Sequence, residues 1–124
     1  MTVTRLLGVY NADGGIVGEL RYVIGHARGT TTCALCDITH GRVRRKPAFD
    51  AMTATLDVPF DLKHRNELDA PERAAVTGLT LPVVVAERPD GTFHVVCDRA
   101  ALDGCNGDVN ALHALIVDWL ATHN

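Results

Sequence analysis

Leu81-Pro82-Val83-Val84-Val85-Ala86, followed across Pro89-Asp90-Gly91 by Thr92-Phe93-His94-Val95-Val96, is the stretch that decides the fold. The first run is apolar throughout and rich in β-branched residues, the pattern of a central strand covered on both faces. Pro-Asp-Gly is turn chemistry, and the second run returns beside the first, so the pair reads as a hairpin. Just upstream, Asp69-Ala70-Pro71-Glu72 opens a helix, with Asp69 as N-cap and Glu72 at the third position of a capping box; the helix runs to about Thr77 and stops at Gly78. Before it, Val58-Pro59-Phe60-Asp61-Leu62-Lys63-His64 alternates as a strand, with Phe60, Leu62 and His64 on one side. Pro47 opens a helix over Ala48 to Leu56 that turns Phe49, Met52 and Leu56 inward. Downstream, residues 98–108 read as a loop. Asp108 then caps a terminal helix whose buried stripe is Val109, Leu112, Leu115, Ile116, Trp119 and Leu120.

The N-terminal third is different. Val3 to Tyr10 reads as a buried first strand and residues 11–15 as a turn. Ile16, Leu20, Val23, Ile24 and Ala27 then form a helical stripe. Gly18 and Gly25 weaken that helix by about 1 kcal/mol each relative to alanine, and Arg28-Gly29 ends it. The order is strand, helices, strand, helix, strand, strand, helix. We read a single α/β domain spanning residues 1–124, with no repeat or linker.

The chain has 124 residues, 47% of them hydrophobic but only 5% aromatic, so its core is aliphatic. A net charge of −3 excludes a general electrostatic drive toward nucleic acid or anionic membrane. The one basic run, Arg42-Val43-Arg44-Arg45-Lys46, reads as a solvated loop. No secretory signal and no apolar run of membrane-spanning length is visible. The expected location is the cytoplasm, where four cysteines are held reduced. Phosphate-loop nucleotide chemistry is unsupported: there is no G-x-x-x-x-G-K-[ST], and the only lysines are Lys46 and Lys63.

The chemistry lies in Thr32-Cys33-Ala34-Leu35-Cys36-Asp37-Ile38-Thr39-His40-Gly41, read as a short helix capped by Thr32 and ended by Gly41. Cys33, Cys36, Asp37 and His40 fall at i, i+3, i+4 and i+7, one face; Ala34, Leu35 and Ile38 point toward a core. At the helix start, free amides and the positive end of the dipole favour a Cys33 thiolate. Cys36, one turn on, stands where a disulfide partner would. Cys33 is then the attacking thiol, Cys36 the resolving one, and Asp37 or His40 moves protons. The same face also suits zinc or another thiophilic metal, with Cys33, Cys36 and His40 as three ligands and Cys97, Cys105 or His64 as the fourth. Both readings stand on the sequence.

From Val58 onward, the strand, short capped helix, Leu81-Pro82 before an apolar strand, hairpin and terminal amphipathic helix resemble the thioredoxin/glutaredoxin fold. The resemblance implies a central sheet of about four strands flanked by helices. The family's redox motif directly follows the first strand, where this chain has Ala12-Asp13-Gly14-Gly15 and no cysteine, so residues 14–45, which carry the C-x-x-C, are read as an N-terminal helical insertion. The resemblance also implies a cis peptide at Pro82, facing the dithiol. Cys97, Cys105 and Asp13 are then expected near Pro82, because the fourth strand ends where the third begins. The whole chain resembles small uncharacterised bacterial proteins sharing the Tyr10–Gly15 and Cys33–Gly41 segments. The leading expectation is a thiol-based redox protein acting on a protein or small-molecule thiol and requiring no cofactor. The alternatives are a small metal-binding protein and a non-catalytic interaction module with the same fold.

Overall fold

The computed structural model of the chain describes residues 3–11, 34–39 and 46–123. The expected helix over residues 16–27 lies outside them, as do Asp13, Cys33, His40 and most of the basic run. The elements are β1 (Arg5–Tyr10), α1 (Ala34–Thr39), α2 (Pro47–Ala54), β2 (Phe60–His64), α3 (Ala70–Val76), β3 (Val83–Glu87), β4 (Phe93–Cys97), α4 (Arg99–Gly104) and α5 (Val109–His123), with one 3₁₀ turn at Arg65–Glu67.

The strands form one mixed sheet in the order β2-β1-β3-β4. β1 pairs with β2 in parallel, setting Leu6 opposite Phe60 and Tyr10 opposite His64. It pairs antiparallel with β3 on its other side, with Gly8 opposite Val84. A strand with neighbours on both edges and helices on both faces must be apolar in both directions, and Leu6 to Tyr10 are all buried.

Alternation along the strands divides the core. Leu6, Tyr10, Val84 and Ala86 face a large cluster containing Leu35 and Ile38 of α1, Phe49 and Met52 of α2, Leu102 of α4, and Leu112 and Ile116 of α5. Leu7, Val9, Val83 and Val85 face a smaller cluster closed by Leu68 and by Val76 of α3. The α/β architecture with a four-stranded sheet flanked by helices is thus as expected, and the Leu81–Pro82 peptide is cis.

The local signals hold where they are strong. Asp69 accepts from the Glu72 amide at 2.9 Å, and the Glu72 carboxylate accepts from the Asp69 amide at 2.9 Å. Gly78 and Gly91 both adopt left-handed backbone, at the end of α3 and in the hairpin turn. Three readings need correction. The β2 strand begins at Phe60, not Val58. Residues 98–108 are not all loop, because α4 forms there with the Asp98 side chain accepting from the Ala101 amide at 2.8 Å. Leu115 is 38% exposed, since α5 buries the narrower stripe Val109, Leu112 and Ile116 against the cluster.

Candidate thiol site

The helix α1 is seated by the absence of a side chain. A Cβ built on Gly8 would lie 2.8 Å from Leu62 Cδ2, 3.1 Å from Leu35 Cδ2 and 3.2 Å from Phe60 Cε1. Glycine in the central strand therefore lets Leu35 descend onto the sheet. At the other end of the helix, Tyr10 Oη lies 2.8 Å from Thr39 Oγ1, a buried contact. Thr39 Oγ1 in turn reaches the Cys36 carbonyl over a long 3.5 Å. The Lys46 amide donates to the Thr39 carbonyl at 2.7 Å, and Lys46 Nζ donates to the Gly107 carbonyl at 2.8 Å. The chain leaving α1 is thereby tied to the turn that precedes α5.

Seating α1 this way changes which face carries Cys36. Its expected place was the face turned away from the core. Instead Leu35, Cys36, Ile38 and Thr39 are all buried, with Cys36 8% exposed. A six-residue helix that packs on β1, α4 and α5 has little free face. The side chain of Asp37 lies outside the described residues, like Cys33 and His40.

Cys97 is brought inward by a β-bulge. Val85 pairs with Val95 but Val84 pairs with Cys97, so β4 carries one extra residue, Val96. Without it, alternation would turn Cys97 to the face of Val83 and Val85; with it, Cys97 shares the face of Val84 and enters the large cluster. Cys105, which ends α4, joins the same cluster and donates weakly from Sγ to the Ala101 carbonyl at 3.5 Å. Cys36, Cys97 and Cys105 thus belong to one core. Pro82 is buried two residues before Val84, at the β3 end where Cys97 pairs.

Their chemistry differs from that of reactive thiols. Burial pushes the Cys97 thiol up to about 12, helped by Cys105 and Asp98. Burial, with Asp108 nearby, also raises Cys105. The two form no disulfide. Both stay protonated at neutral pH and are poor nucleophiles and poor metal ligands as they stand. Among the described residues no group of three His, Cys, Asp or Glu side chains is placed to hold a metal ion.

Two charged arrangements were not anticipated. On the opposite face, the Glu72 carboxylate is 1% exposed and meets Lys63 Nζ at 2.8 Å and Arg5 Nη1 at 2.8 Å. Burial opposes its ionisation. Lys63, the Asp69 amide and Arg5 overcome that penalty and hold it down at about 2. Arg5 also meets Glu87 at 2.6 Å. The second arrangement lies at the end of β2, where Glu67 Oε1 accepts from the His64 amide and bonds His64 Nδ1, each at 2.7 Å. The capping-box spacing was legible for Glu72, but its cation partners sit on strands distant in sequence. Among the described residues no helix is long and apolar enough to cross a membrane. The chain matches no family model, no curated protein and no solved structure.

Proposed function

We propose that this chain is a thioredoxin-like, thiol-based redox protein in which Cys33 attacks a substrate disulfide and Cys36 resolves the product. The strand order β2-β1-β3-β4, with α2 and α5 over one face and α3 over the other, supports the fold reading. The observation that carries the functional reading is the burial of Cys36 in a helix docked on β1. An attacking thiol must be reached by substrate. A resolving thiol needs only to reach its own neighbour, so a nearly buried residue three positions along suits that role.

The steps balance as follows. The Cys33 thiolate attacks one sulfur of the substrate disulfide, forms a mixed disulfide and releases the other sulfur as a thiolate, which takes up a proton. Cys36 loses its proton and attacks Cys33 sulfur. The Cys33–Cys36 disulfide forms, the second substrate sulfur leaves, and two electrons have passed from protein to substrate. Two equivalents of a protein or small-molecule thiol, leaving as their disulfide, restore the dithiol, and Pro82 is assigned to the substrate side of the dithiol by the fold reading. The test is mild oxidation with glutathione disulfide followed by acid quenching and mass mapping. A Cys33–Cys36 disulfide in the wild type, and a stable glutathione adduct on Cys33 in Cys36→Ser, are expected. Four thiols remaining unmodified after treatment would overturn the reading.

A further inference from the structure

Lys46 sits where three helices meet. Pro47 after it favours extended backbone, and its φ and ψ are −66° and 133°. Its carbonyl accepts from the Phe49 amide at 3.0 Å and so starts α2. Its amide donates at 2.7 Å to the Thr39 carbonyl, one of the last carbonyls of α1, which have no partner inside a helix. Its ammonium donates to the Gly107 carbonyl at 2.8 Å. That carbonyl belongs to a tight turn ahead of α5. Asn106 and Gly107 are left-handed there, with φ of 51° and 75°, and the Asp108 amide closes the turn on the Cys105 carbonyl at 2.9 Å. One residue at the edge of the basic run thus fastens the C-terminal end of α1 to the entries of α2 and α5.

A helix of six residues does not persist in water by itself. α1 is helical because it is docked, through Leu35 and Ile38 in the large cluster, through the Tyr10–Thr39 contact and through Lys46. The same docking shelters Cys36. Leu35, Ile38, Tyr10 and Thr39 are buried, whereas the Lys46 side chain is half-buried, so its bond can break without unpacking the core. We infer that Lys46 is a latch: its ammonium holds α1 down on the sheet and thereby sets how often the Cys36 thiol meets solvent. Opening is local, with α1 undocking while β1, β3 and β4 stay paired. Only hydrogen bonds and packing change, and the device works with or without a partner thiol, so it does not rest on the redox reading.

The experiment alkylates the reduced whole chain with iodoacetamide and follows each thiol by mass mapping, in water and in low urea, with urea unfolding of each variant to confirm the fold. In the wild type Cys36 is expected to react well before Cys97, at a rate almost indifferent to low urea, because undocking one short helix exposes little surface. Lys46→Met keeps the aliphatic stem and the backbone amide but loses the donor. Its Cys36 is expected to react about tenfold faster, the effect of losing one hydrogen bond from a charged group. Lys46→Arg restores a cationic donor and is expected to recover most of the protection. An unchanged Cys36 rate in Lys46→Met overturns the latch, and so does an arginine variant as reactive as the methionine one. Wild-type Cys36 reacting only at the Cys97 rate, with the same steep urea dependence, means that α1 opens only on global unfolding and overturns it as well.

Discussion

Substituting Gly8 with alanine tests the element on which the thiol site depends. Ordinary contact begins near 3.4 Å, so the new Cβ at 2.8, 3.1 and 3.2 Å requires retreats of about 0.6 Å by Leu62, 0.3 Å by Leu35 and 0.2 Å by Phe60. All three obstacles are side-chain atoms, but Leu35 is fully buried and has little room to yield. Overpacking of this kind costs about 1–3 kcal/mol. Removing glycine's freedom in the unfolded chain offsets about 0.4–1 kcal/mol. A net loss of about 1–2 kcal/mol is expected, a fall in Tm of roughly 3–8 °C for a chain of this size. The retreat of Leu35 also lifts α1, so Cys36 should be alkylated faster in the folded variant than in the wild type. Urea unfolding gives the first quantity and site-resolved mass analysis after a short alkylation pulse gives the second. Adding Leu62→Ala removes the nearest obstacle and should recover about 1 kcal/mol in a double-mutant cycle. Unchanged stability and unchanged Cys36 labelling would refute the packing of α1 on the sheet; a loss that Leu62→Ala does not relieve would refute this cause of it.

Glu72 is held at about 2 against an ordinary 4.5, so its stabilisation is fully present above about pH 5 and disappears as pH falls toward 2. The shift corresponds to about 3 kcal/mol; Glu72→Gln should flatten the acid limb of an unfolding curve between those values, and an unaltered limb would contradict the ion cluster. Cys97 and Cys105 should resist alkylation at about pH 8 in the native protein and react only on unfolding, given their raised thiols; labelling of either as fast as a free thiol would place it elsewhere. Their burial in the neutral form also contributes stability that is present below the ordinary thiol range and lost as pH rises from that range through the raised folded values. Elemental analysis of untagged protein purified anaerobically without chelator should find no stoichiometric zinc, whereas about one metal per chain, with Tm lowered by chelator, would assign Cys33, Cys36 and His40 to a metal centre.

Sequence alone determined the elements whose causes are local. Asp69 and Glu72 start α3 through bonds three residues apart, Pro89-Asp90-Gly91 closes the hairpin, and the Val109–Leu112–Ile116 spacing marks the buried side of α5. The helix α4 carried such a signal in Asp98, but with Leu102 its only buried side chain the apolar pattern was too sparse to weigh. The C-x-x-C spacing was equally visible, yet the face it presents was not. Whether a short helix turns a residue to water or inward depends on what lies on each side of it. Only the tertiary structure decided that Cys36 is buried, because Gly8 admits Leu35 to the sheet from a strand about 27 residues earlier. It likewise decided that Cys97 faces the core, through one extra residue at Val96 whose effect depends on the partner strand's register. It also set Tyr10 beside His64 and Glu72 between Arg5 and Lys63. Each of these is a non-local pairing, in which the energy of a side chain is set by neighbours that the linear order does not adjoin.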